Sequence, residues 1–390
     1  MNQWILMQRK THCYPAPMIY AIGKVYSHTM AEILNGVSFE FTLALIEDGT
    51  MLWHAREDTV KNVSDKALEM LKQNPNHIQD IRKKFMKISP QLLEFTEKEI
   101  FEKELKVYSN EKLWQLYAKY LELYDLIYTW SEPIAFSLKE NFEEMLRSHL
   151  IKKLGDKKKA NDYLNILSSP TEISFVKKEE QELWNLALEA EKKGVESAEV
   201  KKLITKHTTQ FCWVPYDYGV SLWTEDYFVQ AIKAILEEGK IEEKLEKNKK
   251  YFQELPKKQK EIIKELGLDK YYQDLFNAVR SASFLMDYKK EIFTISHYHI
   301  KFLLEEISRR IEIKREFVQL YLPEELKEAL LENKKLSKEQ LNERNHFSLI
   351  YWEGDQTYIY SGKEAKKKLK EFSIKNQDKS PSVLDGMIAS

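Results

Sequence analysis

Cysteine is almost absent from this sequence: Cys13 and Cys212 are the only two in 390 residues. Two cysteines cannot build a disulfide framework, and neither stands at a metal-ligand spacing. Glycine is scarce, at 11 residues, and no G-x-x-x-x-G-K-[ST] loop, G-x-G-x-x-G fingerprint or G-x-S-x-G elbow occurs. That leaves little material for a phosphate cradle. No apolar run approaches the length that spans a bilayer, and Met1 to Lys10 has no apolar signal core. An excess of charge of either sign is missing too. Lys and Arg number 61 against 62 Asp and Glu, so the formal net charge of −1 gives no field for nucleic acid or an anionic membrane. Basic clusters such as Lys157-Lys158-Lys159 and Lys366-Lys367-Lys368 lie among acidic residues and read as solvated helix faces. A soluble, cytoplasmic protein is expected, with no nucleic-acid or membrane partner.

What is present points to helices. Hydrophobic residues make up 43%, enough for a sizeable core, and charged residues 32%, which with little glycine suits long solvated helices. Trp4-Ile5-Leu6-Met7 reads as a short buried strand. A helix near Lys24–Leu34 follows and is stopped by Asn35-Gly36. Phe39–Ile46 and Met51–His54 are β-rich and flank Asp48-Gly49, a strong hairpin signal. From about Val60 to Leu341 the pattern is helical. Leu113, Leu116, Tyr117, Tyr120, Leu123, Tyr124, Ile127 and Tyr128 recur at three and four residues and make one apolar-aromatic stripe. Ser109 is the expected N-cap of that helix and Pro133 marks its break. Further helices are expected near Glu179–Lys193, Glu225–Glu237, Glu242–Leu266, Asp269–Ile311 (with a possible break) and Pro323–Glu332, and Ser337 with Gln340 fits a capping box.

Phe347–Trp352 and Thr357–Tyr360 flank Glu353-Gly354-Asp355-Gln356 and read as a second hairpin. An isolated hairpin is marginal in water, so both hairpins are expected to share one sheet. The fold class is therefore mainly α with a small antiparallel β-sheet formed by hairpins near the two ends (α+β). The organisation reads as an N-terminal α+β unit at 1–107, a helical domain at 108–345, and a hairpin and helix at 346–373 that return to the N-terminal sheet. Lys375–Pro381 is polar and reads as a linker.

Two segments could carry chemistry. Trp213-Val214-Pro215-Tyr216-Asp217-Tyr218-Gly219, followed by Trp223, interrupts two helical stretches, and Thr224-Glu225-Asp226 then starts a helix well. Such a loop either lines a ligand pocket, with Asp217 as its polar group, or is simply a packed connector whose tyrosines bond backbone groups. The helix around Arg280–His299 places Asp287, Lys290 or Glu291, Thr294 and His297 on one face. This face could hold a polar substrate or a phosphate, or carry ordinary ion pairs. His297 and His299 are two apart on a helix and make a poor chelate, so no metal site is expected. His207 and Cys212 would form a nucleophile–base pair only if the fold happened to join them; a small buried Cys212 is the plainer reading.

Several segments, in order, resemble one family. Leu167-Ser-Ser-Pro-Thr171 with Ile173-Ser174-Phe175 resembles a connector, and His207, Trp213–Gly219 and Trp223–Phe228 resemble its aromatic loop and following helix. Phe284–Glu291 resembles its charged helix, and Leu322–Leu326, Glu343-Arg344 and the hairpin Phe347–Ser361 before Gly362–Ala365 complete the series. Together they are similar to the helical region of phosphoenolpyruvate-utilising enzymes such as phosphoenolpyruvate synthase, pyruvate phosphate dikinase and rifampicin phosphotransferase. In those enzymes an ATP-grasp domain phosphorylates a histidine on a swivelling domain, which carries the group to a second site. That domain opens with a G-x-x-A-S-P-G type of segment. Gly386-Met387-Ile388-Ala389-Ser390 matches its start, so 374–390 is expected to be a linker and the beginning of a mobile domain otherwise missing here.

The resemblance implies a helical scaffold and acceptor-binding part of a phosphotransferase that lacks its phosphohistidine carrier and is inactive alone. Partners would be ATP-grasp and phosphohistidine domains, in cis beyond residue 390 or in trans, and a small-molecule acceptor. ATP and Mg would enter only with the complete system, and this chain would hold no cofactor of its own. No catalytic residue is assigned, and none of the nine histidines lies in the family's histidine motif. The substrate-binding candidates are Trp213, Tyr216, Asp217, Tyr218, Trp223, Arg280, Asp287, Glu291 and His297. The alternative is a non-catalytic helical module that binds a partner protein or an apolar small molecule.

Overall fold

A computed structural model describes residues 3–10, 17–138, 140–216, 221–372 and 374. Asp217 and Tyr218, the stretch read as a linker and the C-terminal residues 382–390 lie outside the described residues. Five strands, β1 (Trp4–Lys10), β2 (Phe41–Glu47), β3 (Thr50–Arg56), β4 (Phe347–Glu353) and β5 (Gln356–Ser361), form one antiparallel sheet in the order β1-β3-β2-β4-β5. The rest is mainly helix. In chain order the helices are α1 (Pro17–Lys24), α2 (Met30–Ile33), α3 (Glu57–Gln73), α4 (His77–Thr96), α5 (Asn110–Ser131), α6 (Ile134–Ser137), α7 (Glu140–Leu154), α8 (Lys157–Ser168) and α9 (Phe175–Lys193). There follow α10 (Ala198–Phe211), α11 (Glu225–Glu238), α12 (Ile241–Leu266), α13 (Lys270–Ile311), α14 (Arg315–Val318), α15 (Pro323–Leu331), α16 (Lys338–His346) and α17 (Gly362–Glu371). Among the described residues no helix is long and apolar enough to cross a membrane.

The chain divides into two compact units, one of residues 1–74, 83–139 and 299–390, the other of 75–82 and 140–298. The first holds the sheet. Both hairpins form, and they meet where β2 pairs with β4, Phe41 opposite Glu353 through Glu47 opposite Phe347. Asp48 and Gly49 both take positive φ, 45° and 74°, the two left-handed residues that a type I′ turn requires. On one sheet face Leu43, Leu45 and Leu349 pack with Ala365 of α17, beside Trp4, Tyr351 and Phe372. On the other, Trp53 and Trp352 stack at 5.2 Å, and Tyr26 sets its ring edge-on against Trp53. The α5 stripe is buried as its spacing requires, and Ser109 caps it by accepting from the Lys112 N–H.

The helix expected from Lys24 starts earlier, at Pro17, where a missing N–H costs nothing at the first helical position. Between α1 and α2 a π-helical turn, Val25–Thr29, carries Ser27, whose hydroxyl donates to the Gly354 carbonyl at 2.6 Å. Where a break within Asp269–Ile311 was open, α13 runs through. Bidentate Arg344–Glu325 bonds of 2.6 and 2.7 Å tie α16 to α15, and the same Glu325 carboxylate accepts from the Leu322 N–H.

Gly23 explains how closely α1 approaches the sheet. A Cβ built there would lie 2.1 Å from the Trp352 ring, which is itself 1% exposed and stacked, so the ring has nowhere to move. Gly23→Ala is therefore expected to destabilise, although alanine in a helix gains about 1 kcal/mol over glycine. Overpacking a filled core costs about 1–3 kcal/mol, and with a rigid bicyclic ring as the obstacle the upper part of that range applies. The net loss, about 1–2 kcal/mol, is measurable by denaturant unfolding. An unchanged midpoint would mean that α1 does not sit on Trp352.

Candidate functional site

The candidate residues that the structure describes all belong to the second unit. Its apolar centre joins Phe175, Leu183, Leu186 and Ala190 of α9 to Val200, Ile204 and Phe211 of α10 and Phe228 and Ile232 of α11. Trp213, Val214 and Tyr216 belong to this centre, each under 9% exposed. The described part of the aromatic loop is thus packed. Trp213 stacks on Phe175 at 5.6 Å and its indole N–H donates to the Gln210 carbonyl at 2.7 Å. Tyr216 meets Tyr298 edge-on at 5.9 Å, and Trp223 stacks on Tyr227 at 4.8 Å. The Thr224 hydroxyl caps α11 by accepting from the Tyr227 N–H.

A buried acid–base pair lies in the same core. His207 Nε2 is 3.0 Å from Glu179 Oε1, with side-chain exposures of 5% and 7%. Phe211 and Phe228 surround the imidazole, each at 4.7 Å. Low exposure excludes the water that would weaken the bond, so the pair joins α9 and α10 through an apolar interior. The sequence carried a signal for it. Glu179 follows Phe175 and precedes Leu183 and Leu186, and His207 follows Val200 and Ile204 and precedes Phe211. One polar residue on the apolar stripe of each of two consecutive helices is the mark of a buried pair. His207 therefore partners Glu179, while Cys212 is half-buried beside the Tyr298 hydroxyl. Burial and that cysteine push the Tyr298 hydroxyl up to about 12.

Arg280 and Asp287 reach from α13 to the connector and the first residue of α9, and Glu291, one turn on, faces the charges of Asp287 and of Lys178 in α9. The last carbonyls of α8 have no helical donors, and side chains supply them. Arg280 donates to the Leu167 carbonyl at 2.7 Å, and Gln259 of α12 donates to Ile166 and Ser169 carbonyls at 2.8 and 2.9 Å. Arg82 of α4 donates to Glu172 at 2.6 Å and lies 4.2 Å over the Phe284 ring. Asp287 accepts a long 3.4 Å bond from the Phe175 N–H at the start of α9. The segment that resembled a family connector is thus clamped from three helices. Arg82, Glu172 and Gln259 were not singled out from sequence, because no periodic pattern links residues so far apart.

Trp213 and Asp287 consequently meet on one residue, Phe175, one on its ring and the other on its backbone N–H. Asp287 and Glu291 are half-buried one turn apart. Burial raises the pKa of both; the Phe175 N–H and Lys290 oppose it at Asp287, and the Asp287 charge adds to it at Glu291. Burial also lowers the pKa of Arg280, against the pull of Glu172. His297 is apart from this group. It is 8% exposed, stacks toward Phe293 at 6.3 Å, and burial lowers its pKa to about 3. His299 lies in the first unit, where its Nδ1 is 3.1 Å from the Thr96 hydroxyl and its ring stacks on Phe101 at 4.8 Å.

A separate open groove of about 650 Å³ on the second unit is lined by residues of α7 and α8, among them Glu144, Arg147, Lys157 and Asn161. None of its lining residues belongs to the candidate group. Among the described residues no cluster of three or more His, Cys, Asp or Glu side chains is placed to hold a metal ion. No family model, curated protein or solved structure matches this chain.

Proposed function

We propose that this chain is the helical scaffold and acceptor-binding part of a phosphoenolpyruvate synthase-like phosphotransferase. ATP-grasp and phosphohistidine domains, in cis or in trans, would deliver the phosphoryl group, and ATP and Mg would act there. The observation that carries the reading is the half-buried Asp287–Glu291 pair beside the start of α9 and the Trp213–Phe175 stack. A phosphoryl acceptor must be positioned and its hydroxyl hydrogen-bonded as it attacks. Carboxylates whose pKa burial raises suit that task better than fully solvated ones. The α9 N-terminus and the cationic Lys178 and Lys290 would favour the charge of the incoming group.

Alone with labelled phosphoenolpyruvate or γ-labelled ATP, the chain is expected to take up no acid-labile, alkali-stable label. When a phosphorylated phosphohistidine domain of that family is added with candidate acceptors, the chain is expected to speed loss of label from it. Asp287→Ala should abolish the acceleration while shifting the melting temperature little. The 3.4 Å bond that it loses is weak, and its carboxylate is disfavoured by burial. Stoichiometric label on a histidine of this chain would show a carrier role instead. Discharge unaffected by the chain would favour the non-catalytic binding module.

A further inference from the structure

We propose that the outer edge of β5 is an interface for a second copy of this chain, paired as antiparallel β5 strands about a two-fold axis at Ile359. The two edges of the sheet differ. β1 ends in Gln8-Arg9-Lys10 and its register slips between Leu6 and Gln8, so charge and a bulge both discourage another strand. β5, Gln356-Thr357-Tyr358-Ile359-Tyr360-Ser361, has no charge, no proline and an unbroken register against β4. Four of its six residues, Thr357 to Tyr360, are β-branched or aromatic neighbours in a row, and Tyr358 is 40% exposed. An edge of this composition is a template for pairing.

The backbone fixes which groups are offered. Glu353 and Gln356 flank a two-residue turn, with Gly354 at φ 58° in its first position, and the pair next to such a turn exchanges hydrogen bonds. By alternation Gln356, Tyr358 and Tyr360 point their N–H and C=O groups to β4, whereas Thr357, Ile359 and Ser361 point theirs outward. Ser361 is the N-cap of α17, so its carbonyl already accepts the first bond of that helix, and five outward groups remain on offer. A two-fold axis at Ile359 sets Ile359 opposite itself, exchanging two bonds, and Thr357 opposite Ser361 of the other copy, where the Ser361 N–H donates to the Thr357 carbonyl. Tyr358 then stands opposite Tyr360 of the other copy.

The flanks complement this register. The turn end of β5 carries exposed Glu353 and Asp355, and the far end leads into exposed Lys363, Lys366 and Lys367, against a single acid there, Glu364. Antiparallel pairing brings Asp355 of each copy to Lys363 of the other, twice by symmetry. A parallel or shifted partner strand would lose this match.

Sedimentation of the full chain over a wide range of concentration tests the proposal. A shift from one-chain to two-chain mass is expected. Lys363→Glu should weaken association by about tenfold or more, since like charges then face each other twice. The exchanged pair Asp355→Lys with Lys363→Glu should restore it. All these positions are exposed, so the fold is retained, and far-ultraviolet circular dichroism of each variant checks this. A chain of one-copy mass at every concentration overturns the proposal and leaves the edge to an extended peptide. A dimer indifferent to both Lys363→Glu and Ile359→Lys overturns it as well, because the contact then lies elsewhere.

Discussion

Truncating one partner of the Glu179–His207 pair is expected to cost about 3–5 kcal/mol, the scale measured when a buried pair loses one member. His207→Ala would leave the Glu179 carboxylate facing Phe211 and Phe228 with no donor, and Glu179→Ala would leave the imidazole equally unpaired. The polar group left behind dominates the loss, with the cavity adding to it. Replacing both, Glu179→Leu with His207→Phe, removes the stranded group and fills the volume. That double variant is expected within about 1–2 kcal/mol of the parent, far less than the sum of the single losses. Denaturant unfolding followed by tryptophan fluorescence suits the test, because Trp184, Trp213 and Trp223 lie in or against this core. Single losses below about 1 kcal/mol would show that the two side chains are not jointly buried.

Acidification should destabilise the fold by several kcal/mol, and buried histidines set the sign. His297 and His299 have pKa values lowered to about 3 and about 4, both by burial. In the unfolded chain each titrates near 6.5. Between pH 6.5 and those lower values the unfolded state binds more protons, so stability falls as pH falls. Lowering a buried ring's pKa from 6.5 to about 3 or about 4 corresponds to about 3–5 kcal/mol. His54, His77 and His149 are lowered as well and act in the same direction. Asp125, Asp287 and Glu291, whose pKa values burial raises, act oppositely and recover part of the loss on protonation. The measurement is the slope of unfolding free energy between pH 6.5 and 4, which sits inside the His297 window. His297→Phe should reduce proton uptake on unfolding by about one across it. An unchanged slope would mean that His297 is protonated in the folded chain.

The sheet was legible from sequence because its signals are local. Asp48-Gly49 and Gly354 are turn residues whose φ the structure confirms, and hairpins too small to stand alone had to combine. Capping was legible for the same reason: Ser109, Thr224 and Ser337 each accept the N–H three residues on. The candidate group was legible only in part. Helical spacing gave the shared face of Asp287 and Glu291. It did not give the clamp on the 166–175 connector, where Arg82, Gln259 and Arg280 reach backbone carbonyls or a carboxylate about 90 or more residues away. Nor did it give Arg344 on Glu325. Long polar side chains that satisfy orphan helix ends leave no period in the sequence, since any arginine or glutamine of adequate reach would serve.

The β2–β4 pairing joins Glu47 to Phe347 and has a consequence for synthesis. At ribosomal rates of about 5–20 residues per second, a chain waits about 15–60 s between making those two residues. Through that interval β1, β2 and β3 can exist only as a three-stranded sheet whose β2 edge, Phe41-Thr-Leu-Ala-Leu-Ile-Glu47, is open and apolar. An edge of that kind is a target for aggregation and for chaperones that hold extended segments. The slow, final event of folding is then closure of the sheet by the C-terminal hairpin, and conditions that delay it should lower soluble yield more than they alter the finished protein.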